Sequence, residues 1–282
     1  GKAGALRRRA AGASCRPCDA EAPRPMTPSP PDPQPDLIYD LGMHRGDDAR
    51  FYLAKGFRVV ALEANPAFCA EARAGLAAAI AAKRLHVEEA ALWHRGGEAI
   101  PFWLNPVKDD WSSALRDWAA KGNHAVQEIR VRGLALPELL DAHGVPYYLK
   151  CDIEGMDEPF AAQLLRDERR PSFVSIEAVS LDALALLRAC GYDRVQIVNQ
   201  AMLPYVQPPD PPREGRHVPV QFHGHMSGLF GRELEPGGWR SFREASEIFL
   251  DFCRLQARQP TLAHGWLDFH VTSSATLAAM GA

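Results

Sequence analysis

The sequence predicts an α/β protein with a doubly wound, mostly parallel, Rossmann-like sheet and a C-terminal lid or helical extension. Short apolar runs alternate with helical stretches along most of the chain, and this order favours parallel strands joined by right-handed crossovers. Three of the runs end in carboxylates, at Asp40, Glu63 and Asp152. Gly42 and Gly46 punctuate the loop after the first run. Because ligands bind such sheets at the carboxyl ends of the strands, these features also predict the position of a site.

The first strand, loop, helix and second strand span residues 37–63. An apolar strand that ends at Asp40 precedes a helix predicted at 47–55, and a second apolar strand ends at Glu63. Glycines let backbone amides approach a ligand, and a carboxylate about 20 residues further on can accept hydrogen bonds from two ribose hydroxyls. This unit predicts a ribose-containing cofactor. The residues predicted to contact it are Gly42, Gly46, Glu63 and Ala64.

The loop between Asp40 and Gly46 discriminates between two kinds of ribose cofactor. A dinucleotide site has the pattern G-x-G-x-x-G, so that a pyrophosphate can lie at the helix N-terminus. Here Asp47 and Asp48 begin the helix and would repel it. Asp40 instead suits the cationic amino-acid end of S-adenosyl-L-methionine (SAM), directly or through water. SAM is therefore favoured over NAD, and a NAD-dependent oxidoreductase that uses Glu63 for the ribose stays as the alternative.

The chain from residue 66 to residue 142 continues the alternation. The predicted elements are a helix at 66–84, a strand at 85–92, β-type alternation at 97–104, a strand at 128–131 and a helix at 136–142. The 85–92 strand ends near the expected position of an adenine. Glu89 and Ala90 are predicted to contact the adenine.

A further apolar strand, at 147–151, ends in two carboxylates at alternate positions, Asp152 and Glu154. At the carboxyl end of a parallel strand they should face the ligand crevice, where Asp152 is also predicted to contact the cofactor. The alternative is that Asp152 only caps the helix predicted at 157–165 and Glu154 is solvated. Glu177 ends the next apolar strand and is expected at the same edge.

Asp152, Glu154 and Glu177 together predict a carboxylate-rich rim with one of two roles. Asp152 or Glu154 could act as a general base that takes the proton from an acceptor hydroxyl. The three carboxylates could also hold a divalent metal ion, and their oxygen ligands suit Mg²⁺ or Mn²⁺.

Five segments carry a resemblance to a known family: Tyr39–Gly46, Val60–Pro66, Ala90–Leu92, Ser112–Ser113 and Leu149–Gly155. Across about residues 37–180 the chain resembles the FkbM-type methyltransferases, which are class I SAM-dependent enzymes. The most specific element is the K-x-D-x-E-G pattern that contains Asp152. The resemblance implies O-methylation at a hydroxyl of a sugar or of a polyketide-type natural product. The usual loop has a small residue and Asn where this chain has Met43 and His44, so His44 is predicted either to contact the carboxylate of the cofactor or the substrate, or to face solvent.

The C-terminal part is predicted to form a substrate lid over the core. A glycine-punctuated segment contains His223 and His225, and an amphipathic helix is predicted at 242–257. Both histidines are runner-up general bases, and they could also bind a metal. The alternative is a helical hairpin that only covers a sheet edge. The last alternating run, at 265–271, is predicted as an edge strand.

The domain prediction has three parts: a disordered Pro- and Arg-rich leader at 1–36, a SAM-binding methyltransferase domain at 37–200 and the C-terminal extension at 201–282. Cys15 and Cys18 in the leader have the spacing of half a zinc ribbon, but a second pair does not follow closely in the sequence.

The composition of the chain indicates which kinds of partner and which cellular compartment to expect. A formal net charge of −3 gives no general attraction to nucleic acid, and the sequence has no apolar run of about 18 residues that would predict a membrane span. Six scattered cysteines and the lack of a secretory signal predict a reducing, cytoplasmic compartment. The expected partner is a small-molecule or glycan hydroxyl acceptor. A catalytically silent SAM-binding module is the third alternative.

Overall fold

The structure is a computed structural model that describes residues 31–281. Its strands are β1 (Gln34–Leu41), β2 (Arg58–Glu63), β3 (Leu85–Glu89), β4 (Ala91–Leu92), β5 (Ala99–Leu104), β6 (Gln127–Leu134), β7 (Pro146–Cys151), β8 (Phe173–Glu177), β9 (Arg194–Asn199), β10 (Arg240–Ser241) and β11 (Leu267–Thr272). Its α-helices are α1 (Asp47–Lys55), α2 (Pro66–Gly75), α3 (Ala77–Ala81), α4 (Arg116–Ala119), α5 (Leu136–His143), α6 (Asp157–Arg166), α7 (Leu181–Ala189), α8 (Phe242–Arg258) and α9 (Ser274–Ala279).

Eight strands form the main sheet, in the spatial order β3-β2-β1-β7-β8-β11-β9-β10. Strands β1, β2, β3, β7 and β8 pair in parallel. Strand β11 is antiparallel to both of its neighbours, and β10 pairs antiparallel with β9. A second sheet has the order β4-β6-β5. The prediction of a doubly wound, mostly parallel α/β fold is therefore confirmed.

Helices cover both faces of the main sheet, and alternation along β1 shows why. Leu37, Tyr39 and Leu41 belong to a buried cluster with residues of α5, α6 and α7. Ile38 belongs to the cluster on the other face, which contains the aromatic residues of α1. A strand that is buried on both faces has an almost continuous apolar sequence, as β1 does.

The strand register aligns the carboxyl ends of three neighbouring strands. Leu41, the last residue of β1, pairs with the penultimate residue of β2 and with the last residue of β7. Gly42, Glu63 and Asp152 therefore meet at one edge of the sheet. This edge is where ligands bind in open parallel sheets.

Two predicted elements are each divided in the structure. The strand predicted at 85–92 is β3 and β4, which belong to different sheets, and the chain turns at Ala90, whose amide donates to the carbonyl of Glu63 at 3.0 Å. The helix predicted at 66–84 is α2 and α3. Gly75, which is the last residue of α2, is unfavourable inside a helix.

The prediction of an edge strand at 265–271 is wrong, because β11 lies inside the sheet between β8 and β9. Its polar residues, Asp268 and His270, alternate with apolar ones and make the sequence look half exposed. In the structure His270 is 2% exposed, and Asp268 faces a cavity at the sheet edge. Strand β9 itself was not predicted.

Most of the leader predicted at 1–36 lies outside the described residues, as do Cys15 and Cys18, although Gln34–Asp36 already belong to β1. The boundary at residues 200 and 201 stays a prediction. Among the helices of residues 31–281, none is both long and apolar enough to cross a membrane.

Candidate active site

A cavity of about 420 Å³ opens at the carboxyl edge of the main sheet. The ends of β1, β2, β7 and β8 contribute to it, together with the loop after β5 and the loop at 224–227. The sequence-predicted residues that line it are Gly42, His44, Glu63, Ala64, Ala90, Asp152, Glu154, Glu177 and His225. The structure thus brings most of the predicted site together.

Gly42 follows β1 and lies against the backbone of Asp152, which follows β7. Its φ is +81°, and a Cβ atom there would lie 1.8 Å from the carbonyl oxygen of Asp152. Any side chain would push the two strand ends apart. Gly46 has the same φ at the N-cap of α1, but it does not line the cavity.

The Glu63 carboxylate closes the glycine loop from the side of β2. Its two oxygens accept hydrogen bonds from the backbone amides of His44, at 2.8 Å, and Asn65, at 2.7 Å. Burial raises the pKa of Glu63 to about 7, although these amide bonds favour the ionised form. Because a carboxylate oxygen has two acceptor positions, ionised Glu63 can still accept hydrogen bonds from hydroxyl groups in the cavity.

The buried ammonium group of Lys150, in β7, lies close to three carboxylates. Its Nζ lies 3.1 Å from Asp40 Oδ1, 3.6 Å from Asp48 Oδ2 and 3.9 Å from Asp152 Oδ2. Burial disfavours the charged form, but these carboxylates outweigh it and hold the pKa of Lys150 well above its ordinary value. Lys150 also donates to the carbonyl of Gly42 at 2.9 Å, which fixes the glycine loop.

Asp40 lies behind Lys150 and is completely buried. Lys150 lines the cavity, whereas Asp40 does not. The Asp40 carboxylate therefore faces the protein's own ammonium group, and its direct contact with a cofactor stays a prediction. Sequence reasoning did not include Lys150 in the site, although a lone lysine inside the apolar run Tyr-Tyr-Leu-Lys-Cys was the available signal.

Glu154 and Glu177 are largely buried carboxylates at the ends of β7 and β8. Trp118 Nε1 donates to Glu154 Oε2 at 2.6 Å. Burial, followed by the charges of Asp152 and Glu177, raises the pKa of Glu154 to about 8. Burial and then Asp152 raise the pKa of Glu177 to about 7. Both carboxyl groups can therefore exchange protons near neutral pH.

Two further ionisable residues complete this side of the cavity. Lys121 Nζ lies 3.2 Å from the centroid of the Trp118 ring, and burial lowers the pKa of Lys121 although Glu154 and Glu177 oppose the change. Asp268 of β11 pairs in register with Glu177, and burial raises the pKa of Asp268 well above its ordinary value. Both line the cavity, and sequence reasoning missed both because they come from distant segments.

Residues 40–194, more than half of the chain, match the family described as the methyltransferase FkbM domain. The chain belongs to this family. The match confirms the resemblance that was based on the sequence motifs.

Two solved structures are similar to this chain. One is precorrin-6y C5,15-methyltransferase from Geobacter metallireducens, at 20% identity and a TM-score of 0.34, over 58% of this chain and 67% of that chain. The other is methyltransferase FkbM from Methylobacillus flagellatus, at 16% identity and a TM-score of 0.37, over 56% of this chain and 39% of that chain. Curated proteins gave no match.

His44 of the FkbM domain is packed between aromatic rings. Its ring stacks on His225 at 5.5 Å and meets the edge of Phe68 at 4.6 Å, and its Nε2 lies 3.3 Å from Asp109 Oδ1. Burial lowers the pKa of His44, although Asp109 opposes this. A side chain that is 18% exposed does not fit the alternative of a solvent-facing histidine.

Two further residues that the sequence predicted for the site, Glu89 and His223, have side chains outside the cavity. The Glu89 carboxylate pairs with Arg73 at 2.5 Å on the surface. His223 is half exposed, with its Nε2 3.9 Å from Asp47 Oδ2. The roles given to Glu89 and His223 stay predictions.

The metal predicted at the carboxylate rim of the FkbM domain requires donor atoms that converge. In the part of the chain that the structure describes, one group of three ligand-type side chains has donor atoms all within 4.8 Å of one another, and it is His86, Glu88 and His143. Asp152, Glu154 and Glu177 do not form such a group. Their role in holding Mg²⁺ or Mn²⁺ stays a prediction.

Proposed function

We propose that the chain is a SAM-dependent O-methyltransferase for a hydroxyl group of a sugar, a glycan or a polyketide-type small molecule. The observation that carries the proposal is that one cavity holds Glu63 together with Glu154 and Glu177. Neighbouring strands are about 4.8 Å apart, so the three steps from β2 to β8 separate Glu63 from Glu177 by roughly 14 Å. A cofactor ribose and an acceptor hydroxyl can therefore occupy different ends of one cavity.

The cavity residues around Gly42 fit SAM. Ionised Glu63 offers acceptor positions to the two ribose hydroxyls, and the small side chain of Ala90 leaves room for an adenine. Lys150 suits the carboxylate of the amino-acid end, and Asp152, which is 49% exposed, suits its ammonium group. When bound, SAM supplies an electrophilic methyl group on a sulfonium.

We assign Glu154 as the general base of this reaction. An acceptor hydroxyl is a weak nucleophile until its proton leaves, and a base works best when its pKa is near the working pH. The pKa of Glu154 is about 8, and the bond from Trp118 to Oε2 leaves Oε1 for the acceptor proton. Asp152 is the alternative base, and His225 is the runner-up because it also lines the cavity.

Two tryptophans favour a sugar ring as the acceptor. Trp111 and Trp266 line the cavity, and Trp266 is 45% exposed. A flat indole face packs on the apolar face of a ring, while carboxylates such as Glu177 accept hydrogen bonds from hydroxyl groups. Together these groups suit a polar, ring-shaped molecule.

Calorimetric titration with SAM and, separately, with NAD tests the cofactor. We expect micromolar binding of SAM, weakened about 10-fold or more in Glu63→Ala. In this variant the backbone amides of His44 and Asn65 lose their acceptor, and the ribose hydroxyls lose a charged acceptor. Glu89→Gln is the matched control, since that carboxylate lies outside the cavity. Binding of NAD instead of SAM would favour the oxidoreductase.

Release of S-adenosylhomocysteine in a panel of sugar and polyketide-type acceptors tests the reaction. We expect turnover to fall by about 10²–10⁴ in Glu154→Gln while SAM affinity is retained. A chelator arm tests the Mg²⁺ or Mn²⁺ prediction, and the proposed base mechanism predicts an unchanged rate. SAM binding without transfer to any acceptor would favour the silent module.

A further inference from the structure

A cluster of three side chains lies outside the proposed active site, at the edge strand β3. His86 and Glu88 occupy alternate positions of β3 and so share one face of the strand. His143 is the last residue of α5, whose leucines pack in the buried cluster on one face of the main sheet. Residues far apart in sequence thus bring two imidazoles and one carboxylate together.

The donor atoms of this cluster lie close together. His86 Nε2 lies 2.8 Å from Glu88 Oε1, and His143 Nε2 lies 3.5 Å from the same oxygen. The two imidazole rings are 4.6 Å apart between centroids. All three donor atoms lie within 4.8 Å of one another.

One atom of the cluster is unsatisfied. His143 Nε2 is buried and has no hydrogen-bond partner among the residues that the structure describes. A buried polar atom without a partner is costly. A ligand that accepts its lone pair would remove that cost.

We propose that His86, Glu88 and His143 form a binding site for a divalent transition-metal ion such as Zn²⁺. Imidazole nitrogens and a carboxylate oxygen are ligands of zinc sites. Neighbouring ligand atoms of a tetrahedral zinc ion are about 3.3 Å apart at its usual bond lengths, close to the two spacings to Glu88 Oε1. Small side-chain rotations complete the geometry, and water supplies the fourth ligand.

The surroundings of Glu88 fit this role. Arg132 donates a hydrogen bond to the second carboxylate oxygen, Oε2, which leaves Oε1 as a single, oriented ligand atom. Partners of this kind orient metal ligands in known sites. Before the ion binds, His86 Nε2 carries the hydrogen that it donates to Glu88 Oε1. When His86 coordinates the ion through Nε2, the neutral imidazole takes its other tautomer, with one proton on Nδ1 after exchange with solvent.

The proposed metal site is independent of the proposed methyl transfer. His86, Glu88 and His143 do not line the active-site cavity. The ion would join β3 to the end of α5. We therefore expect it to stabilise the fold rather than to take part in the reaction.

Titration of the full chain with Zn²⁺ and with Co²⁺ tests this site. The background carries Cys15→Ser and Cys18→Ser, so that those thiols do not contribute. We expect one equivalent to bind, a visible Co²⁺ absorption band and a rise in the unfolding temperature. His86→Gln and His143→Gln should each weaken Zn²⁺ affinity at least about tenfold.

His94→Gln is the control, because His94 is an exposed histidine outside the cluster. Since His86 is also exposed, the His86→Gln variant should fold, as circular dichroism can verify. Unchanged Zn²⁺ affinity in His86→Gln and His143→Gln overturns the proposal. So does an affinity that is lost in a His223→Gln, His225→Gln double variant and kept in the cluster variants.

Discussion

The backbone amide of Ser227 donates to both carboxylate oxygens of Asp48, at 3.0 Å each. Asp48 lies in the first turn of α1 and is 3% exposed, and Ser227 is 6% exposed. This contact attaches the C-terminal loop at 224–227 to the helix that follows the glycine loop. His225 of the same loop lies over His44, so one buried carboxylate positions a wall of the cavity.

Loss of this contact should release the loop. We expect Asp48→Ala to weaken SAM binding and to speed amide exchange at residues 224–227, because a hydrogen bond to a charged acceptor contributes about 1.5–3 kcal/mol. Hydrogen exchange with mass spectrometry measures the effect. Asp182→Ala is the control, since it removes an exposed carboxylate from the first turn of another helix, α7. Equal exchange in both variants would contradict the proposed role of the loop.

Removal of the Lys150 ammonium should destabilise the fold strongly. Lys150→Met leaves the buried carboxylates of Asp40 and Asp48 unpaired, and breaking a buried ion pair costs about 3–5 kcal/mol. Urea unfolding measures the change in the free energy of unfolding. The double variant with Asp40→Asn should recover part of the loss, because one uncompensated charge is gone. A double variant that is no more stable than Lys150→Met would show that Asp40 and Lys150 do not interact.

Gly42 should tolerate no side chain. Gly42→Ala places a Cβ against the backbone of Asp152 at a positive φ, so we expect a loss of at least about 3 kcal/mol in unfolding free energy. Gly97→Ala is the matched control. Its φ is +80° and nothing lies within 4 Å of the added atom, so the cost should be about 1 kcal/mol. Similar melting temperatures of the two variants would argue against the close approach of β1 and β7.

The raised pKa of Glu154 predicts a pH-dependent stability of known sign. Its pKa is about 8 in the folded protein and about 4.3 in an unfolded chain, so the folded state binds more protons between these values. Stability contributed by this group is therefore lost as pH rises from about 4 to about 8. Glu154→Gln should be more stable than the parent by about 1 kcal/mol or more at pH 8, and by less at pH 5. Unfolding curves of both proteins at pH 5 and pH 8 measure this difference in the free energy of unfolding. A difference that is the same at both pH values would contradict the raised pKa of Glu154.

Some elements were predicted correctly from the residues of their own segment. Helix α1 was predicted with its observed bounds, 47–55. Strand β11 was predicted at the sheet edge because polar and apolar residues alternate along it. Alternation shows that the two faces of a strand differ in polarity, but it does not show whether the polar face is exposed to solvent. Its polar residues face a cavity and a buried position rather than solvent. That information resides in the pairing with β8 and β9, which are distant in sequence.

The site likewise contains residues that the sequence predicted and residues that it did not. Glu63 ends β2, and Asp152 and Glu154 follow β7. Because ligands bind at the carboxyl ends of parallel strands, the sequence could place these residues at the cavity. Lys121 and Asp268 reach the cavity from a loop and from an antiparallel strand. No local pattern marks them, because their positions depend on how separate segments pack.

The position of β11 has a consequence for how the chain folds during synthesis. Strands β8 and β9 each pair with β11, so a nascent chain on the ribosome that has not yet released residues 267–272 has open edges on both. Exposed edges are templates for pairing with other chains. Translation that stalls before residue 267 should therefore yield aggregation-prone intermediates, and the cell's chaperones would be needed until β11 enters the sheet.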